Sequence, residues 1–333
     1  MNQITFPRKS YFGDTVEKTE LEKWFLYGKS KSLKGKTEYN LVENIKKNLE
    51  GISSATTEDE QFLLSVIKNF LPYILVCSPT NLRNISLLVD KLFPDIFIKA
   101  IKAGTIQYTK FHDDLFDAFN YKSYLKNKLR DLACFLNIKS CPYCNMSYTL
   151  FAEDGPHYKH MKNIFQIDHF YGEKKYPFLS MSLYNLIPSC AVCNQKKSDT
   201  PLSLNFHPYL IGINKQFHFK VENPLPLIFG AMKDKINVDL ELENKAEADK
   251  TELEDYDKLF DIKLRYCRHK DIVQEVFDKA YLERYYTAHF FKFLRPKYRQ
   301  RLIYGVYMDE NEIEKRPMSK FIQDIRKQAI DML

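Results

Sequence analysis

A chain of 333 residues that is 44% apolar and 28% charged can bury a sizeable core in two or three domains, which excludes a disordered or fibrous protein. A formal net charge of +7 and a pI near 8.8 suit a polyanionic partner and equally suit plain solubility. The longest apolar runs, such as FLPYILVC at 70–77, fall short of the roughly 20 residues a membrane span needs, and MNQITFPRKSYFGD lacks a secretory pattern, so a soluble cytosolic protein with no membrane partner is expected.

From 1 to 136 the signals are helical. Leu41, Ile45 and Leu49 share one face of a helix that Gly51 is suited to cap. Thr57 and Glu60 stand at capping-box spacing before a stripe of Phe62, Leu63, Val66, Ile67 and Phe70, and Pro72 is expected to end that helix. A third helix stops before Pro94, and a long amphipathic one over 113–136 leads into NIKSCPYC. The middle, 137–210, changes to short apolar strands, prolines and a polar turn at AEDGPHYKH. Beyond it, 211–333 begins with two short strands, NKQFHFKVEN and INVDLELEN, and turns helical from about 250. The expected fold is α+β: a mainly helical protein with a small central core between two helical domains.

Seven cysteines are an odd number in a reducing compartment, so metal binding is favoured over a disulfide framework. Cys141-x-x-Cys144 and Cys190-x-x-Cys193 are knuckles of identical spacing. Each presents half a tetrahedron, and together they complete a closed structural zinc site with no open position for catalysis. Thioredoxin-like redox chemistry needs only one pair and leaves the second unexplained. Cys77, Cys134 and Cys267 read as core thiols.

Between the knuckles, IFQIDHFYG reads as a strand ending in Asp168 and His169, Asn185 precedes the second knuckle in YNLIPSC, and Asn194 follows it directly in CNQKK. Asp-His, then Asn, then Cys-x-x-Cys-Asn resembles the HNH endonucleases of the ββα-metal type with a zinc-stabilised core, over roughly residues 140–200. The resemblance implies hydrolysis of phosphodiester bonds in DNA or RNA, with DNA favoured. His169 is the implied base that deprotonates water, and Asp168 and Asn194 supply hard oxygens to one Mg²⁺ or Mn²⁺ ion. Asn185 orients the base from across the loop. Adjacent strand residues point to opposite sides, so the resemblance requires a bend at Asp168-His169.

Ser198 would complete the metal's surroundings if the helix carrying Asn194 continues, and Lys196 and Lys197 are candidate phosphate contacts. His207, in NFHPYL, is a further candidate because a comparable His- or Asn-Pro-Tyr segment follows the core in such proteins. His157 and His160 read as turn residues, and His112, His218, His269 and His289 as structural. IDHFYGEKKYPFLSMSLYNLIPSCAVCNQKKSD, FHPYL and EKRPMSKFIQDI are similar to the HNH subunits of Septu-type and retron-associated antiphage systems. That similarity implies an effector nuclease partnered by an SMC- or ABC-type ATPase. The competing reading is a zinc-scaffolded nucleic-acid-binding or docking module without catalysis, which needs the four cysteines but not Asp168, His169 and Asn194 together.

Overall fold

A computed structural model describes residues 14–28, 30–31, 38–102, 105–119, 132, 136, 138–154, 160–163, 165–228, 236–287 and 295–333. Cys134, His157, His289 and all but two positions of the predicted helix beyond Phe119 lie outside them. Among the described residues the protein is α+β, mostly helical, with five two-stranded antiparallel sheets.

The amino-terminal part holds α1 (Asp14–Tyr27), the short pair β1 (Ser30–Lys31) and β2 (Glu38–Tyr39), and α2 (Leu41–Glu50). Asn40 caps α2 by accepting from the Val42 and Glu43 amides, and Gly51 ends it in a right-handed conformation, its N–H shared between the Asn48 and Leu49 carbonyls. In α3 (Glu58–Val76) the capping box is complete: the Glu60 amide donates to Thr57 Oγ1 at 3.2 Å and the Thr57 amide to Glu60 Oε2 at 3.0 Å.

Two expectations for α3 fail. Pro72 lies inside the helix, which runs on to Val76. An interior proline costs about 3 kcal/mol. Burial of Leu71, Ile74 and Leu75 around it is worth about 1.5–3 kcal/mol each, enough to carry the helix through. The buried stripe is also one position off: Leu63, Leu64, Ile67 and Leu71 face the core, while Phe62 and Phe70 are more than half exposed. Helix α4 (Pro79–Leu92) starts at the Ser78 cap with proline at its first position and stops before Pro94 as predicted. The hairpin β3 (Ile98–Lys102) and β4 (Thr105–Tyr108) follows, then α5 (Lys110–Phe119).

In the middle, β5 (Phe151–Asp154) pairs with β6 (His160–Asn163) across the predicted polar turn. Strand β7 (Gln166–His169) then pairs antiparallel with β8 (Leu186–Ser189), joined by the long excursion 170–185. Helix α6 (Ala191–Lys197) starts immediately after β8, with Cys190 as its cap, and packs back on β7. The result is a ββα unit.

The last part pairs β9 (Phe217–Glu222) with β10 (Asn237–Leu242), the two predicted strands, and adds α7 (Lys250–Phe260), α8 (Ile262–Tyr266), α9 (Lys270–Leu282), α10 (Pro296–Tyr304) and α11 (Ser319–Met332). Side chains of α11 cover the open edge of β9: the Phe219 amide donates to Asp324 and the Val221 amide to Gln328, each at 2.9 Å. The first cysteine knuckle is tied to this part. Asn145, in the left-handed region at φ 50°, donates through Nδ2 to the Ile313 carbonyl and accepts the Lys320 amide on Oδ1, while Tyr256 and Tyr266 donate their hydroxyls to the Tyr143 and Cys144 carbonyls. Buried side chains from all three parts form one hydrophobic core.

Candidate metal centre and cleft

Cys141, Cys144, Cys190 and Cys193 are buried, and their sulfurs all lie within 4.8 Å of one another, close enough to hold a metal ion such as zinc. Among the described residues no other set of three or more His, Cys, Asp or Glu ligand atoms gathers so closely. Sulfurs at about 2.3 Å from a tetrahedral zinc stand about 3.8 Å apart, and Cys144 and Cys190 are 3.9 Å apart. The donor set therefore fits the group. Hydrogen bonds from Cys141, Cys144 and Cys193 pull the Cys190 thiol far down, whereas burial pushes that of Cys141 well up, as expected of four acids competing for charge in one small volume. Backbone amides of Met146 and Cys190 donate to Cys144 and Cys141 at 3.4 Å. The guanidinium of Arg265, on α8, forks across the cluster with one nitrogen 3.6 Å from Cys193 and the other 3.6 Å from Cys144. Nothing in the spacing pointed to Arg265. The cysteines read as core thiols divide: Cys77 is a core residue whose burial pushes it up to about 12, but Cys267 is only half-buried at the end of α8, which corrects its reading as a core thiol.

One helix turn away, a cleft of about 430 Å³ opens between the end of β7, the start of the excursion and the end of α6, lined by Asp168, His169, Glu173, Asn194, Ser198 and Asp199 among others. His169 is buried, with Nε2 2.9 Å from the Ser180 carbonyl. A carbonyl only accepts, so Nε2 carries the hydrogen and Nδ1 is the basic nitrogen, 3.5 Å from Glu173 Oε2. Burial lowers the imidazole to about 4, so it is neutral near pH 7.

Asn185 does not act on the ring directly. Fully buried, it accepts the Tyr171 amide at 2.7 Å and donates to the Tyr171 and Leu179 carbonyls at 3.0 and 2.9 Å. It thus ties the two ends of the excursion together and holds the adjacent Ser180 carbonyl against His169.

The expected bend at Asp168-His169 is absent: pairing runs unbroken from Asp168 opposite Ile187 to His169 opposite Leu186. The two side chains point to opposite sides, and both reach the cleft because it lies at the strand's end. Asp168 turns inward, where Oδ2 accepts the Tyr143 hydroxyl at 2.6 Å and lies 3.3 Å from Lys197 Nζ. Burial raises its carboxyl to about 6 against the opposing pull of Lys197 and Tyr143.

Three sequence candidates therefore change place. Lys197 is fully buried, donating to the His169 carbonyl at 2.6 Å as well as pairing with Asp168, so it is no exposed phosphate contact. Lys196 pairs with Asp261 at the α7–α8 junction, away from the cleft lining. His207 is fully buried with its ring packed 4.1 Å from that of Phe170, Nδ1 accepting the Tyr209 amide; burial lowers it to about 3, and it supports the strand end from behind. The helix ends at Lys197, but the Ser198 amide still donates to the Asn194 carbonyl at 2.9 Å, so Ser198 stands one turn from Asn194 as expected, and its φ of 43° then turns the chain and leaves it on the cleft wall. Asn194 lines the cleft and donates from Nδ2 to Gln166 at 2.7 Å.

Tyr143, Glu173 and Asp199 were not singled out. Asp199 packs close to the excursion, its Oδ1 within 2.8 Å of where a Cβ on Gly172 would sit, so a larger residue at 172 would displace this side chain. Of the remaining histidines, His112 is buried in the helical part and His218 faces Glu241 and Glu243, in keeping with structural roles. Comparison with protein-family models, with curated proteins and with solved structures finds no match.

Proposed function

We propose that the protein is a metal-dependent HNH-type endonuclease, hydrolysing phosphodiester bonds at the cleft between β7 and α6, with the cysteine cluster as its structural zinc site. The observation that carries the reading is a buried, neutral histidine of defined tautomer beside a group of hard oxygens. The Ser180 carbonyl keeps the hydrogen on Nε2, leaving Nδ1 of His169 to take a proton from water. Asp168, Asn194 and Asp199 are oxygen donors of the kind a divalent cation prefers, and all three line the cleft. Mg²⁺ or Mn²⁺ bound there supplies charge stabilisation for the phosphate and the leaving oxygen. Asn185 keeps the excursion closed, and Lys197 balances the buried Asp168 carboxylate without taking up cleft space. The resemblance to antiphage nuclease subunits extends the reading to a cytosolic effector partnered by an SMC- or ABC-type ATPase, to be checked by co-purification with the protein encoded beside it.

The test is incubation of the full chain with DNA and RNA panels in Mg²⁺ or Mn²⁺, alone and with that neighbouring protein. Cleavage that falls at least about 100-fold in His169→Ala, the lower end of the range for loss of a general base, supports the reading. Unchanged cleavage in the variant overturns this site, and nucleic-acid binding without cleavage in either protein favours the non-catalytic module.

A further inference from the structure

Between α4 and α5 the chain forms a hairpin that packs on the core only at its base, through Tyr108. Strands β3 and β4 pair only with each other, and the ribbon is wet on both faces. Ile101 and Ile106 stand directly opposite one another at 66% and 43% exposure, and Lys102 pairs across from Thr105 on the other face. The register slips between Ile98 and Ala100, so Lys99 is an extra residue bulged out of the ladder. A two-stranded ribbon contributes little stability alone, and one exposing an apolar cross-strand pair is a liability unless something covers it.

Two features say what covers it. The segment 98–108, IKAIKAGTIQY, has two lysines and no acid, and neither Lys99 nor Lys102 forms an ion pair among the described residues. The base of the ribbon also abuts the cleft: the Tyr108 ring stacks on His112 at 4.0 Å, and His112 Nε2 lies 2.9 Å from the carbonyl of Lys174, a cleft-lining residue. At about 3.3 Å per residue, Thr105 stands about 10 Å out from Tyr108, or about three base-pair steps of a duplex whose backbone lies in the cleft.

Resting on the reading of that cleft as the cleavage site, we propose that the β3–β4 hairpin is a duplex-DNA contact, entering the major groove with Lys99 and Lys102 on the phosphates that wall it. A groove about 12 Å wide admits a two-stranded ribbon, whereas the major groove of duplex RNA is too deep and narrow. Lys102, Thr105 and Gln107 give one face of the ribbon the donors and acceptors that base edges and phosphates use.

The experiment measures binding of the full chain to a short DNA duplex by fluorescence anisotropy, without added divalent cation, so that it reads contact and not cleavage. Lys99→Glu/Lys102→Glu is expected to weaken binding at least tenfold and to lower the slope of log affinity against log salt by about two, the share of two phosphate contacts. Lys46→Glu/Lys47→Glu, the same charge change on the exposed face of α2, is expected to leave binding within about twofold. Unchanged binding in the hairpin variant overturns the proposal. So does an equal loss in the α2 variant, which would show a response to net charge alone, or an equal hairpin dependence with duplex RNA. If the wild type binds DNA through the hairpin but never cleaves, the nuclease reading fails and the contact stands; if it cleaves with the hairpin variant binding normally, the contact fails alone.

Discussion

The cysteine cluster and the cleft sit on the same short helix and are built in opposite ways. Cys193 and Asn194 are neighbours on α6, one turned to the sulfurs and the other to the cleft. The cluster is gathered by one tight turn and one helix start that each bring a pair of ligands, so four sulfurs close on one point, with Arg265 as their charged neighbour. The cleft draws on β7, the excursion and the end of α6, and its key carboxylate leans on Tyr143 and Lys197 from elsewhere in the chain. A framework site can be written in local spacing, but a reactive site depends on how separate elements are held against each other.

Removing the framework tests that difference most severely. Cys190→Ala leaves three thiolates and loses the closed shell; because structural zinc contributes on the order of 10 kcal/mol in small zinc domains, more than most domains have to spare, the middle of the protein is expected to unfold. Metal analysis should fall from about one zinc per chain to none, with loss of near-UV circular dichroism. Wild-type protein purified without zinc would refute the assignment of the cluster.

Lys197→Met leaves the cluster intact and strikes the support of the cleft. An unpartnered buried carboxylate costs about 3–5 kcal/mol. The sign with pH follows from Asp168. Its carboxyl lies above the ordinary range in the fold, at about 6, so the native state binds the proton more tightly than the unfolded chain and stability falls with rising pH between the ordinary range and about 6. Loss of the Lys197 charge raises that carboxyl further, so the deficit of the variant is expected to grow from pH 5 to pH 8. Urea denaturation at both pH values measures it, and a deficit independent of pH would mean that the pair is not coupled.

Asn185→Leu removes three hydrogen bonds that tie the excursion, for about 3 kcal/mol at about 1 kcal/mol each. Zinc content should be unchanged while cleavage falls, which separates cleft from cluster in one protein. The smallest effect is expected of Thr57→Ala, far from both: loss of the α3 cap costs about 1 kcal/mol by thermal or urea denaturation, with zinc content and cleavage unaffected.

The same division explains what could be read in advance. The helix caps at Gly51 and Thr57, the two strands near 217 and 240, and the Cys-x-x-Cys pairs each rest on residues a few positions apart, and they stand where the spacing put them. The stripe of α3 was misjudged because Phe62 and Leu63 are both apolar, and only the neighbouring helices decide which of them is covered. Lys197 read as a surface lysine because a lysine on a short polar helix is usually solvated; what buries it is Asp168, 29 positions away in the chain. Likewise His207 looked free to return to the cleft, and the ring of Phe170 stands in its way. Sequence by itself determined the capping box of α3, the strands β9 and β10 and the two cysteine pairs, since short-range geometry and ligand chemistry suffice for these; the hairpin β3–β4, in a part that reads as helical, was not legible in it. Tertiary structure alone decided the tautomer of His169, the partners of Asp168 and the place of Asp199, because each depends on atoms brought together by burial across the fold.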